Sequence, residues 1–233
     1  MDKRKKYILV LDTETANSFM GENNQLDLSN SLVYDIGYQV IDKKGKVYEK
    51  NSFVIYDIFF DKRMMQSAYY KQKIPRYLED IKEGKRKIVQ FMTARKIIAK
   101  AIKKYNCVVS AHNARFDLNA LNVTTRYLTK SKTRYFFPYG TEIWDSLKMA
   151  NDVICKLKGY QNFCIENGYM TKHKVPKPRA TAEILYKYLS GDYDFIESHT
   201  GFEDVEIETE ILIYCLNSHK KMRKRLYTPP PQI

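Results

Sequence analysis

The sequence predicts an α/β fold: a mixed five-stranded sheet, three antiparallel strands followed by two parallel ones, flanked by helices. Three observations carry this. Residues 7–11 are a short continuous apolar run, the pattern of a strand buried on both faces. Two further apolar runs, 32–41 and 47–55, follow with a turn at 42–45 between them, as in an antiparallel meander. A long amphipathic segment, 85–105, then leads to the short apolar run 107–110. A strand–helix–strand succession of this kind sets the second strand parallel to its neighbour.

The 233 residues suffice for one large domain. It is expected over 1–217, with 218–233 as a basic, Pro-rich tail. A composition 44% hydrophobic and 13% aromatic excludes a disordered chain. A net charge of +13, from 40 Lys+Arg against 27 Asp+Glu, points to a polyanionic partner, nucleic acid first. The 19 Tyr and 11 Phe supply rings for the core and for stacking on bases. Cys107, Cys155, Cys164 and Cys215 show no C-x-x-C spacing. They read as free thiols of a reducing compartment, so a cytoplasmic location is expected. No leader or membrane span is expected, and no membrane partner.

Taken in order, the first strand ends in Asp12-Thr13-Glu14-Thr15. Strand side chains repeat every two residues, so the two carboxylates share a face. They repel each other, and a hard divalent cation relieves that repulsion. Two solvated acids at an exposed strand end are the plainer alternative. Residues 16–30 form a polar loop in which Phe19 and Met20 serve either to grip a terminal base or as core anchors. Gly37 permits a close approach inside the second strand. Short helices are expected around 64–71 and 76–81. The 85–105 helix carries an apolar stripe of Ile88, Phe91, Ile98, Ala101, Ile102 and Tyr105.

After the 107–110 strand, Asn113 is placed to cap a helix, with Asp117 about one turn in. In an open α/β sheet functional groups gather where parallel strands end and helices begin, so Asp117 can approach Asp12 and Glu14. His112 sits at the junction, for packing, capping or chemistry. Residues 130–140 are basic and aromatic, the pattern of a single-strand groove. Asp145 or Ser146 caps the helix after a final strand at 141–146. Helix is expected within 147–168 and over 180–190, with a basic loop at 172–179 suited to phosphates. Thr200 and Glu203 match a capping box, which makes His199 N′ and Asp204 N4, positions close in space. The nearby Glu203, Glu206 and Glu208 also fit a solvated acidic helix start. The helix is expected to end in the basic residues of 216–225, and 228–233 to be extended.

Together, Asp12-Thr13-Glu14-Thr15, His112-Asn113-x-x-Phe116-Asp117 and His199-x4-Asp204 resemble the DEDDh branch of the DnaQ-like 3′–5′ exonucleases, in the ribonuclease H-like superfamily. Ile36-Gly37, Trp144-Asp145-Ser146-Leu147 and the run from Tyr188 to Gly191 are similar to that family too. Each motif alone is weak; the ordered set spans nearly the whole chain. The segments 56–84 and 130–178 are less typical of it.

The resemblance implies hydrolysis of phosphodiesters from a 3′ end with release of 5′-mononucleotides. It implies two Mg²⁺ or Mn²⁺ ions held by Asp12, Glu14, Asp117 and Asp204, and His199 as general base. Thr13, Thr15, Asn113, Phe19 and Met20 would receive the terminal nucleotide. The expected partner is a single-stranded 3′ end, DNA ranked ahead of RNA, with a polymerase as a further partner in proofreading. An exoribonuclease of the same branch and a non-catalytic nucleic-acid-binding module are the alternatives. The second explains the charge but not four carboxylates facing phosphates.

Overall fold

Strand β1 (Tyr7–Ala16) is the axis of the sheet and is buried on both faces over its apolar run. In the computed structural model, Ile8 and Val10 enter one core, and Leu9 and Leu11 enter the other. The structure describes residues 5–16, 19–20, 26–27, 30–68, 70–130, 132 and 134–227, with backbone alone at 19–20 and 26–27. Within the polar 16–30 segment, β2 (Phe19–Met20) and β3 (Leu26–Asp27) pair as a small antiparallel ribbon. Strand β4 (Leu32–Asp42) runs antiparallel to β1, and β5 (Val47–Ile55) antiparallel to β4, which is the expected meander.

Next come α1 (Tyr56–Phe59), α2 (Lys62–Met65), a 3₁₀ turn at Lys71–Lys73 and α3 (Ile74–Lys82). Strand β6 (Lys87–Val89), α4 (Phe91–Tyr105), β7 (Val108–Ala111), α5 (Ala114–Leu128) and β8 (Ile143–Asp145) follow. The chain continues through α6 (Ser146–Val153), α7 (Lys158–Glu166), α8 (Ala182–Ser190) and α9 (Gly201–Asn217). The sheet order is β6-β5-β4-β1-β7-β8, with β7 parallel to β1 and β8 parallel to β7. Among the described residues no helix is long and apolar enough to cross a membrane.

The sheet has six strands where five were expected, because 87–89 are strand and not helix. These residues pair parallel with Phe53–Ile55 at the edge. Ile88, assigned above to the helical stripe, is 41% exposed. Helix α4 begins only after Gln90, and its Phe91 N donates to Asp57 Oδ2 at 2.7 Å. That cap comes from α1, so no local signal marks it. From there the stripe is as expected: Phe91, Ala94, Ile98, Ala101 and Ile102 are buried.

Helix α9 packs on β1 and β4 on one side and on α6 and α8 on the other. Its Val205, Ile207, Ile211, Leu212 and Cys215 are all buried. Its first turn reaches the sheet because β4 has no side chain at Gly37. A Cβ there would fall 2.0 Å from Gly201 O. The helix stops at Asn217, so the basic residues after it do not extend it. The chain instead returns to β8: Asp145 N donates to Lys224 O (2.8 Å) and Leu226 N to Ile143 O (2.9 Å). Leu226 is buried there, and Arg223 and Arg225 pair with Asp152 and Glu142. The extended tail expected over 228–233 lies outside the described residues. All four cysteines are buried and free.

Candidate metal and nucleic-acid site

The alternation of β1 decides which acids meet. Asp12 and Glu14 continue the face of Ile8 and Val10, the side on which α9 lies. Carboxylate oxygens of Asp12, Glu14 and Asp204 come within 4.8 Å of one another. Asp117, in the first turn of α5, arrives from the other face and is held by Thr13, whose Oγ1 donates to Asp117 Oδ1 at 2.8 Å. Asp12, Glu14 and Asp204 line one cavity of about 690 Å³, together with Thr13, Thr15, Asn113 and His199. Asp117 adjoins it through its bond to Thr13, close enough for its charge to act on Asp12. The structure therefore brings together every residue expected at the site except Phe19 and Met20, whose side chains lie outside the description.

Two caps differ in detail from expectation. Asn113 stands at the N-cap of α5 but in the left-handed region (φ 67°), and its side chain makes no capping bond. Its N–H instead donates to Asp145 Oδ1 at 3.2 Å. Asp145 is the cap of α6 and also accepts from Leu147 N. Thr200 is the N-cap of α9, and its hydroxyl donates to Glu203 Oε2, so the box closes side chain to side chain.

Glu203 belongs to a buried network that fixes the start of α9. Arg86, 3% exposed at its side chain, pairs with Glu203 (2.6 Å), Asp80 (3.0 Å) and Asp35 (3.2 Å). Asp35 Oδ2 also accepts from Tyr77 Oη (2.6 Å) and Gly201 N (2.9 Å). Thus β4, α3 and the strand β6 edge all hold the turn that carries His199 and Asp204.

His199 has φ 47° and stacks on Tyr70, with centroids 4.4 Å apart and planes 11° from parallel. Its Nδ1 lies 3.7 Å from Glu197 Oε2. The expected closeness of N′ and N4 thus takes another form: His199 faces Glu197, while Asp204 Oδ1 accepts from Ser198 Oγ at 3.4 Å. Glu183, Glu197 and His199 form a second group with ligand atoms within 4.8 Å. His112 is structural. Its Nδ1 meets Ser146 Oγ (3.0 Å) and its Nε2 meets Ala180 O (2.7 Å), tying the β7–α5 junction to α6 and to the start of α8.

Sequence reasoning missed several lining groups. Glu208, read above as part of a solvated acidic start, is 4% exposed and accepts from His112 N at 3.1 Å. Its signal was present: it stands one helical turn after Asp204, on the same face. Glu197, Tyr70 and Lys73 carried no local signal, since they come from irregular segments. Lys73 Nζ donates to Ser198 O. Of the two basic loops, Arg179 of 172–179 lines the cavity. The 130–140 loop lines a separate groove between α5 and β8.

The electrostatics fit a resident cation. Burial, then repulsion from Glu208, Asp117, Asp204 and Glu14, pushes the Asp12 carboxyl well above its usual range. Burial raises Asp117 to about 7 and, with Glu197 nearby, Asp204 to about 8. Glu14 and Glu208 are raised by burial as well. Against these acids Lys73 is the opposing charge near Glu14 and Asp204, and burial lowers its own pKa. Carboxylate oxygens this close, with so little positive charge, are the donor set of a hard divalent ion. Burial also lowers His199, assisted by Lys73, which keeps the imidazole neutral near pH 7.

No protein-family model matches the sequence, and no curated protein matches it. Solved structures do match in fold. One, described as 3′-end specific recognition of a histone mRNA stem-loop by a 3′-exonuclease, has a TM-score of 0.61 at 12% identity, covering 96% of this chain and 87% of that one. The nuclease domain of 3′hExo, a DEDDh family member bound to rAMP, has a TM-score of 0.58 at 13% identity, covering 96% and 98%. E. coli exonuclease I with a dA16 oligonucleotide has a TM-score of 0.51 at 16% identity, covering 93% of this chain and 41% of that one. The fold of this chain is that of the DEDDh 3′-exonucleases, a ribonuclease H-like mixed sheet.

Proposed function

We propose that the chain is a metal-dependent 3′–5′ exonuclease of the DEDDh type, acting on the 3′ end of single-stranded nucleic acid and releasing 5′-mononucleotides. The observation that carries this reading is the convergence of Asp12, Glu14 and Asp204 within 4.8 Å, with His199 on the same cavity and Asp117 joined to it through Thr13. Asp12, Glu14 and Asp204 would hold one Mg²⁺ or Mn²⁺ ion, and Asp12 with Asp117 a second. When bound, such ions polarise the phosphoryl oxygens and lower the pKa of an attacking water.

The chain's own groups supply the rest. His199, neutral near pH 7, takes the proton of the attacking water. Glu197 beside Nδ1 favours the tautomer with its proton there, which leaves Nε2 as the basic atom. The Thr13 hydroxyl holds Asp117 in one rotamer. Thr15 and Asn113 line the space for the terminal sugar, Arg179 stands at the rim as a phosphate contact, and the cavity is large enough for a nucleotide. A cytoplasmic location and a proofreading association with a polymerase belong to the same proposal. A non-catalytic binding module is disfavoured because buried acids at a phosphate site only repel a strand.

Of the three neighbours named above, one is described with an mRNA stem-loop, one with the ribonucleotide rAMP and one with a DNA oligonucleotide, so the test carries both RNA and DNA. Matched single-stranded DNA and RNA, labelled at either end, are incubated with Mg²⁺, Mn²⁺ or EDTA. The expected result is stepwise shortening of 5′-labelled strands, immediate mononucleotide release from 3′-labelled ones, arrest by EDTA, and faster loss of DNA. Internal cuts, or degradation in EDTA, would contradict the reading.

A further inference from the structure

The loop between α5 and β8 is not used by the site just described, yet it is firmly built. Phe136 and Phe137 are buried, and Phe136 packs on Phe91 with centroids 5.3 Å apart. Arg95 donates to Phe136 O (2.9 Å) and Tyr135 O (3.2 Å), and Asn122 Oδ1 accepts from Phe136 N (2.9 Å). This pinned loop presents the flanking rings outward: Tyr135 is 68% exposed and Tyr139 wholly so. Between them and α5 lies a groove of about 510 Å³. Its lining includes Arg95, Lys132 and Arg134 and no acid. Among the described residues no carboxylate pairs with Lys132 or Arg134.

We infer that this groove is a second binding site for single-stranded nucleic acid, one that holds the strand away from the point of cleavage. Exposed rings offer faces on which bases stack irrespective of sequence, and the cations match the phosphates between them. Helix α5 links the two places: Phe116 in its first turn lines the acid cavity, and Leu118 and Asn122 line the groove. The inference rests on the proposed function only in assigning the strand's 3′ end to the acid cavity. Binding at the groove does not depend on hydrolysis.

Fluorescence anisotropy of the whole chain in Mg²⁺ tests it, with a labelled single strand of roughly 20 nucleotides and another of roughly four, the smallest single-strand footprint. Both carry hydrolysis-resistant phosphorothioate linkages, while unmodified strands report hydrolysis. Tyr135→Ala with Tyr139→Ala should weaken the long strand by about tenfold or more and leave the short one unchanged. Lys132→Ala with Arg134→Ala should reduce the salt slope of long-strand binding by about 1.4, two phosphates' worth. Tyr139→Ala alone, at a wholly exposed side chain, should show part of the effect even if the double variant folds poorly. Long-strand affinity and slope unchanged in all three overturn the inference, as they would if the groove served a protein or a second copy of the chain. Equal losses on both lengths overturn it too. A chain that binds long strands through these side chains without hydrolysing them keeps this inference and loses the proposed function; hydrolysis with affinity blind to the groove does the reverse.

Discussion

Gly37 of β4 and Gly201 of α9 meet backbone to backbone: a Cβ on Gly37 would lie 2.0 Å from Gly201 O, and one on Gly201 would lie 2.9 Å from Gly37 N. This contact sets the depth at which α9 crosses the sheet, and so the height of Asp204 and Glu208 above Asp12. Gly37→Ala forces the backbones apart. It should destabilise the fold by about 3 kcal/mol or more, the upper end for overpacking, and should remove divalent-ion binding. The denaturant midpoint and a Mn²⁺ titration measure the two effects; a native-like midpoint would show that the crossing tolerates a wider gap.

Arg86 ties Asp35, Asp80 and Glu203 together beneath the same turn. Arg86→Leu leaves Asp35 buried without its cation. Removing one partner of a buried ion pair costs about 3–5 kcal/mol. Unfolding of the variant should show a loss in that range, with partial recovery in Arg86→Leu/Asp35→Asn. A loss below about 1 kcal/mol would mean that the network is stabilising little.

His199→Ala should lower the hydrolytic rate by about 10²–10⁴-fold, the usual cost of removing a general base, while strand affinity in EDTA stays unchanged. Glu197→Gln should give a smaller loss, because the imidazole keeps its place on Tyr70 but loses the carboxylate at Nδ1. A wild-type rate in His199→Ala would assign proton transfer elsewhere.

Without divalent ions the acid cluster should weaken the fold as pH rises. Carboxylates whose folded pKa is raised bind more protons folded than unfolded, so stability is full below the unfolded value near 4 and is lost as pH climbs through the folded values. For Asp117 and Asp204 these are about 7 and about 8. Tm in EDTA should therefore fall between about pH 4 and pH 8, and Mg²⁺ should restore it at the upper end. A Tm in EDTA that rises over this range would contradict the electrostatic account.

Glu208→Gln keeps an acceptor for His112 N and removes a charge from beside Asp12. In EDTA at alkaline pH it should stabilise the protein by at least about 1 kcal/mol, one pKa unit of relief. Thermal unfolding with and without Mg²⁺ checks this, the gain being smaller with the ion. An unchanged Tm in EDTA would mean that Glu208 is already protonated.

The acids were legible in the sequence for a local reason. Asp12 and Glu14 end a strand, and Asp117 and Asp204 each lie in or next to the first turn of a helix, so periodicity and capping residues locate them. Groups that reach the site through tertiary contact were not legible. Lys73 and Tyr70 arrive from a segment without periodicity, and Glu197 from a loop. Strand β6 exists because β5 offers an edge, and α4 starts where Asp57, 34 residues earlier, accepts the Phe91 N–H. Glu208 was within reach of helical spacing, but its acidic neighbours disguised it as surface.

Crystals soaked in Mn²⁺ and measured for anomalous scattering address the acid cluster most directly. An ion coordinated by Asp12, Glu14 and Asp204 at about 2.1 Å, with a second on the Asp117 side of Asp12, is the expected density. Density only at Glu183, Glu197 and His199, or none at all, would contradict the account.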